Sequence, residues 1–356
     1  MKRILCLIES LGSGGAERQM TSLAVMLKQR GYSIEVWYYV KKEFYISFLQ
    51  ENGVIARFVS DANDPRHRFQ ALRKLINSYH PDIIISYTIS TNMVTCLLKM
   101  LGAKFNLIVS ERNTTQKISW RSRVRFFLYR WADHIVPNSF SQENFIKSHF
   151  PQLIQKVTTI INFVDTQLFV PKEHTPGRNI IVAATVWPSK NALGFLKALK
   201  ILKDKGYMFH VKWFGVVPDQ MEYYNKCVEL VRDLWLNDYI EFLEKSKTIV
   251  DEYQSADIFC LPSFYEGTPN ALCEAMSCGL PILCSAVCDN PRYVVADENG
   301  FLFNPHDESD MSNAIEKALV MSDEELLRMG QLSRQKALAM FDKKNFVEKY
   351  INLIEA

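Results

Sequence analysis

The chain has 356 residues, beyond the size at which a single hydrophobic core keeps growing, so two domains are expected. With 48% hydrophobic and 23% charged residues, wholesale disorder is excluded, and no apolar run reaches the length of a membrane-spanning helix. The net charge of +3 hides an asymmetry: residues 1–170 carry 22 Lys+Arg against 12 Asp+Glu, a net of +10, and residues 171–356 carry 20 against 27, a net of −7. A basic first half points to an anionic partner, for which nucleic acid, an anionic membrane and an anionic substrate all qualify.

In chain order, the apolar run Ile4–Ile8 reads as a strand. Its start does not read as a secretory signal, because Glu9 interrupts it and no small-residue cleavage site follows, so a cytoplasmic location is expected. A glycine-rich loop comes next, then a helix with apolar positions at Met20, Leu23, Ala24 and Leu27 that ends at Gly31. "YSIEVWYYV", "DIIISYT", "KFNLIVS" and "HIVPNS" are further strands separated by helical stretches. Strands alternating with helices imply a parallel sheet covered on both faces. The Pro-, Gly- and charge-rich stretch 170–179 reads as a linker. A second alternating series follows with "NIIVAATV", "MFHVKWFG", "YIEFLE", "DIFCLPS", "LPILCS" and "GFLF", then an amphipathic helical tail from Met311. The fold class is therefore α/β, as two such domains in tandem, with ligand sites expected at the carboxyl ends of the strands.

Four of the eight cysteines, Cys273, Cys278, Cys284 and Cys288, fall within sixteen residues. Their spacing contains no C-x2-C pair and the nearest histidine is His306, so reduced core thiols are expected rather than a metal site.

Four segments carry candidate chemistry. Gly12-Ser13-Gly14-Gly15 joins the first strand to the first helix and lets backbone approach an anion at a helix start; a plain tight turn has the same composition. Position 17 is Glu, which disfavours a dinucleotide fingerprint. "SFYEGTPNALCEAMSCGLP" (263–281) holds Glu266 on a loop and Glu274 eight positions on, inside a helix. Thr268 is expected to cap that helix and Pro269 to occupy its first turn, with Gly279 and Pro281 ending it. The amides of Asn270, Ala271 and Leu272 would then offer an anion site; alternatively both glutamates are solvated. Lys190, in "AATVWPSKN", sits between a strand and the helix Leu193–Leu202, where it reaches a phosphate or merely solvent. "KISWRSRVRFFLYRWADHIV" (117–136) interleaves Trp120, Phe126, Phe127, Tyr129 and Trp131 with Lys117, Arg121, Arg123, Arg125 and Arg130. It suits an anionic surface, and equally an ordinary helix with aromatics in the core.

The glycine loop, "NFVDTQLF" (162–169), the Lys190-Asn191 turn, "SADIFCLPSFYEGTPNALCEAMSCGLPIL" (255–283) and "NGFLFNPHD" (299–307) together resemble the group 1, family four retaining glycosyltransferases, in particular those that build bacterial capsule, O-antigen and other surface polysaccharides. The resemblance implies a GT-B fold of two Rossmann-like domains facing across a cleft: an acceptor-side domain over 1–170, a nucleotide-sugar-binding domain over 178–340, and a last helix over 341–356 crossing back to the first. It implies that Lys190 neutralises the donor diphosphate, Glu274 bonds the ribose hydroxyls and Glu266 holds the donor sugar. Gly14 and Gly15 would let domain one close over the phosphates, and Phe242, Leu243 and Lys245 would form a loop framing the base. Two departures stand out. Thr185 occupies the place of an arginine that the family uses for the same diphosphate. Where the family often has a histidine near the sugar, this chain has Ser110-Glu111-Arg112-Asn113, which leaves Glu111 or Arg112 for that role.

The implied reaction is transfer from a nucleotide-diphosphate sugar, commonly a uridine one, to a glycan or lipid-linked glycan. Lys190 and the helix amides would stabilise the leaving diphosphate, and that phosphate would take the acceptor's proton. No strict D-x-D is present, so metal independence is expected, with no cofactor beyond the nucleotide-sugar co-substrate. The resemblance favours an anionic membrane as the partner of segment 117–136, on the inner face of the cell membrane, over nucleic acid. An epimerase of the same fold and a non-catalytic nucleotide-sugar-binding protein are the alternatives.

Overall fold

The computed structural model describes residues 2–60, 64–217 and 221–356. The chain divides into two compact units, one of residues 1–162 with 344–356 and one of residues 163–343. The first contains β1 (Arg3–Leu7), α1 (Gly15–Gln29), β2 (Ser33–Tyr38), α2 (Ile46–Glu51), β3 (Ile55–Phe58), α3 (Pro65–Tyr79), β4 (Ile83–Tyr87), α4 (Ile89–Met100), β5 (Asn106–Glu111), α5 (Trp120–Leu128), β6 (His134–Pro137) and α6 (Phe140–His149). Six parallel strands run in the order β3-β2-β1-β4-β5-β6. β4 is buried along its whole length, as expected for a strand covered on both faces. β3 was not among the strands expected from sequence. It lies at the sheet edge with Ile55 and Arg57 exposed, so it lacks the continuous apolar run that marks its neighbours.

The second unit contains β7 (Asn179–Ala183), α7 (Ala192–Asp204), β8 (His210–Val216), α8 (Met221–Asp233), β9 (Ile240–Glu244), α9 (Ile249–Gln254), β10 (Ile258–Leu261), α10 (Asn270–Ser277), β11 (Ile282–Ser285), α11 (Asn290–Tyr293), β12 (Gly300–Phe303), α12 (Glu308–Leu319) and α13 (Asp323–Met340). Its sheet, order β12-β11-β10-β7-β8-β9, is again wholly parallel. Counted from each unit's first strand, both sheets have the order 3-2-1-4-5-6, that of doubly wound nucleotide-binding folds. The order reverses between β1 and β4 in one unit and between β7 and β10 in the other, and the loops at the carboxyl ends of those pairs are where such folds hold ligands.

The proline- and glycine-rich stretch expected as a linker is fastened to the second unit. Asp257, almost wholly buried, holds His174 Nε2 at 2.8 Å and accepts from the backbone N–H groups of Gly177 and Asn179 at 3.0 and 2.7 Å. After α13 the chain returns to the first unit as α14 (Lys343–Glu355). There Tyr350, fully buried, shares a 2.9 Å hydrogen bond with Tyr87 at the end of β4, and Lys2 donates to Ile354 O at 2.7 Å.

Candidate active site

In the second unit the site is built on two loops. One leaves β7 and contains Thr185, Trp187 and Lys190; the other leaves β10 and contains Glu266 and Thr268. β7 and β10 are paired neighbours, so 76 residues of separation in sequence become adjacency at the sheet's carboxyl edge. Phe264 N–H donates to Ser189 O at 2.9 Å and ties the loops together. Beside that bond, Lys190 Nζ donates to Glu266 Oε1 at 2.5 Å, with the side chains 25% and 9% exposed. Two residues that the sequence indicated separately thus form one ion pair.

The first loop closes against β8. Val186 N–H donates to Gly215 O at 3.0 Å, and a Cβ on Gly215 would lie 2.0 Å from Ala184 O. Gly215 has φ +149, so only glycine fits there. Lys190 ends a short helical turn, Pro188–Lys190, and Asn191 in the left-handed region turns the chain into α7.

The second loop enters α10 differently from the sequence expectation. Pro269 is the N-cap rather than a first-turn residue, and no side chain caps the helix. The Thr268 hydroxyl is bonded to Tyr293 Oη at 2.9 Å instead. Asn270, Ala271 and Leu272 form the first turn, as expected, and Gly279 at φ +76 ends the helix. Glu274 is 4% exposed and accepts from Tyr253 Oη at 3.2 Å.

The expected base-framing loop is not a loop at Phe242 and Leu243. Both lie on β9, and the Phe242 ring packs on Trp213 and Tyr224 at 5.7 and 6.1 Å; apolar contacts on the sheet face hold it. Lys245, just past the strand, is exposed. Sequence reasoning missed Trp187 and Tyr265, large exposed aromatics on the two site loops, 46% and 39% accessible. An aromatic side chain inside a predicted loop beside a charged candidate was the available signal.

In the first unit, Gly14 is the N-cap of α1 and Gly15 its first residue. A Cβ on Gly14 would fall 2.3 Å from Glu17 Oε2, and Ser10 Oγ donates to Glu17 Oε1 at 3.0 Å, so Glu17 closes on this turn. Thr88, at the end of β4 beside the reversal of strand order, has φ 80 and ψ 153, a region nearly confined to glycine. Nothing in the sequence announces it.

Two expectations for this unit are corrected. Glu111 is fully buried: its Oε1 accepts from Tyr129 Oη and its Oε2 lies 3.3 Å from Arg125 Nη1. Burial pushes its carboxyl pKa up, with Arg125 opposing. Both carboxylate oxygens of Glu111 thus face side chains of the first unit, in contrast to the open position expected of a group near the sugar. Arg125, placed on the membrane or acceptor surface by its composition, faces inward as Glu111's partner and donates to Thr115 Oγ1 at 2.6 Å. Trp120, Arg121, Arg123 and Arg130 are exposed, joined by Val124 and Phe127. Arg121 stacks over Trp120 at 5.5 Å and Arg130 over Phe127 at 5.4 Å. Arg112, just past β5, stacks 4.8 Å over Tyr87 and donates through Nη2 to Asn162 Oδ1 at 2.5 Å; its buried Nη1 has no hydrogen-bond partner among the described residues.

Seven of the eight cysteines are buried, and no cluster of three or more potential metal ligands occurs among the described residues.

The sequence matches two family models that meet near the unit boundary: Glycosyltransferase Family 4 over residues 13–168 and Glycosyl transferases group 1 over residues 165–336. The chain is 24% identical over 371 residues to the GalNAc-alpha-(1->4)-GalNAc-alpha-(1->3)-diNAcBac-PP-undecaprenol alpha-1,4-N-acetyl-D-galactosaminyltransferase of Campylobacter jejuni, spanning 99% of this chain and 98% of that one. It is 30% identical over 224 residues to the UDP-Gal:alpha-D-GlcNAc-diphosphoundecaprenol alpha-1,3-galactosyltransferase of Escherichia coli, spanning 56% and 55%. The structure of Anabaena HepE in complex with UDP and glucose superposes with a TM-score of 0.87 at 17% identity, over 100% of both chains. The fold is thus GT-B, and the chain belongs to the group 1, family 4 glycosyltransferases.

Proposed function

We propose that this glycosyltransferase moves a sugar, with retention of anomeric configuration and without a metal, from a nucleotide-diphosphate donor to a lipid-linked glycan in bacterial surface-polysaccharide synthesis. The observation that carries the reading is the Lys190–Glu266 pair beside the uncapped start of α10, at the reversal of strand order in the second unit. Lys190 meets the diphosphate together with the first-turn amides of α10, where charge develops as the sugar–phosphate bond breaks. Glu266 takes hydroxyls of the donor sugar and Glu274 those of the ribose. The departing phosphate accepts the acceptor's proton. Thr185 gives the diphosphate a hydroxyl in place of a second cation. Arg112, rather than the buried Glu111, takes the first-unit role. Relatives that act on undecaprenol-linked glycans, one of them with a UDP-sugar, support the acceptor and the base.

The enzyme works at the cytoplasmic face of the membrane. No helix among the described residues is long and apolar enough to cross one, and the exposed strip Trp120–Arg130 pairs apolar side chains with cations, the composition of an interfacial helix.

A panel of nucleotide sugars assayed with undecaprenol-linked acceptors, with and without EDTA, tests the reading. Acceptor-dependent release of nucleoside diphosphate, unaffected by EDTA, is expected. Turnover without acceptor, or none with any donor, overturns it.

A further inference from the structure

Lys190 is the only cationic side chain on either site loop, residues 184–191 or 262–269. Its ammonium is engaged at 2.5 Å by Glu266, and neither residue makes another ion pair among the described residues. The Phe264–Ser189 backbone bond holds the two loops in this register, so the contact does not depend on a chance rotamer at a free loop tip.

From this we infer that Glu266 is an internal competitor for Lys190 that makes the donor subsite favour an intact sugar nucleotide over a spent nucleoside diphosphate. The inference rests on the nucleotide-sugar reading above. A diphosphate reaching Lys190 competes with a carboxylate already bonded to it. If Glu266 is displaced, an ionised group only 9% exposed is left beside the incoming anion, short of hydrogen bonds. An intact donor relieves this, because sugar hydroxyls donate to the displaced carboxylate. A nucleoside diphosphate has no such hydroxyls in that position. Once the sugar has moved to the acceptor, Glu266 returns to Lys190 and weakens the hold on the product. With Thr185 on the same loop supplying no charge, loss of this one cation removes the side-chain charge holding the diphosphate there. Glu266 is in this way both a sugar-binding residue and a product-release device.

Calorimetric titration of UDP and of the turned-over UDP-sugar into wild type, Glu266→Gln, Lys190→Gln and the double variant tests this. Glu266→Gln is expected to bind UDP about three- to tenfold tighter, the scale of coupling between contacting residues, while its affinity for the intact donor does not rise. In the Lys190→Gln background the Glu266 change should leave UDP affinity unaltered. A Glu266→Gln protein that binds UDP no tighter than wild type overturns the inference while leaving the transferase reading intact. Should that variant not fold, wild type alone decides: the intact donor is expected to bind tighter than UDP, and the reverse order overturns the inference. A wild type that neither binds nor turns over any nucleotide sugar overturns the functional reading, and the inference with it.

Discussion

Arg125 and Glu111 face each other inside the first unit, Nη1 to Oε2 at 3.3 Å, with Tyr129 hydroxyl on the other carboxylate oxygen. Burial costs both charges solvation that only the partner returns, so breaking the pair strands the survivor. Arg125→Met is expected to lower unfolding free energy by about 3–5 kcal/mol, and Arg125→Met with Glu111→Leu by less than the two single changes together. Denaturant titration of the four proteins measures this.

The same carboxyl gives a pH signature. Its folded pKa lies above the unfolded value near 4.5, so the folded state binds more protons in the window above 4.5. Its contribution to stability is therefore complete below that value and declines as pH rises through the folded pKa. Glu111→Gln, which cannot titrate, should gain relative to wild type as pH goes from 5 to about 8. Melting temperatures at the two ends should show the gap between the proteins moving in that direction; a gap that moves the other way refutes the assignment.

Lys190→Met should reduce kcat by about 10²–10³-fold, the effect of removing one preorganised group from a developing anion, with circular dichroism unchanged. Thr185→Arg, on the same loop, should tighten UDP binding by about tenfold through a charge-assisted contact. Steady-state kinetics and titration calorimetry read the two effects.

Trp120→Ser with Phe127→Ser should abolish partitioning onto vesicles containing anionic lipid, and Arg121→Gln and Arg123→Gln should each weaken it by about fivefold, from about 1 kcal/mol per cation. Co-sedimentation at low and high salt checks this. Arg125, enclosed by the fold, is not part of that surface.

Gly215→Ala would force a Cβ onto Ala184 O and ask alanine to adopt φ +149. A loss of at least about 2 kcal/mol is expected, and donor affinity should fall with it, because the β7 loop carrying Lys190 rests on that contact. Thermal melts with and without UDP separate the two effects.

The strand–helix alternation was readable because parallel strands buried on both faces leave continuous apolar runs, as at Ile83–Ile85 and Ile258–Leu261. β3 escaped because an edge strand does not. Lys190 and Glu266 were each legible from local context, but their contact depends on β7 pairing with β10, a long-range fact. Composition alone gives all the arginines of 117–136 to the surface, but Arg125 is buried while Arg121 and Arg123 are exposed. Ser122, Arg125, Phe126 and Tyr129 recur at helical spacing and bury together, and that periodicity would have separated Arg125 from Arg121 and Arg123. Glu111 ends a strand where a site residue is reasonable; only its neighbours on α5 and the following turn turn it inward. Thr268 has a capping residue's chemistry, yet Tyr293 claims its hydroxyl.

The return of α14 to the first unit has a consequence for biosynthesis. Residues 163–343 form a continuous stretch, whereas the first unit lacks Tyr350, the buried partner of Tyr87, until the whole of the second unit has been translated. The first unit is thus completed only after the second, and a nascent chain that has not yet reached Tyr350 would expose the seam around β4 to chaperones and proteases.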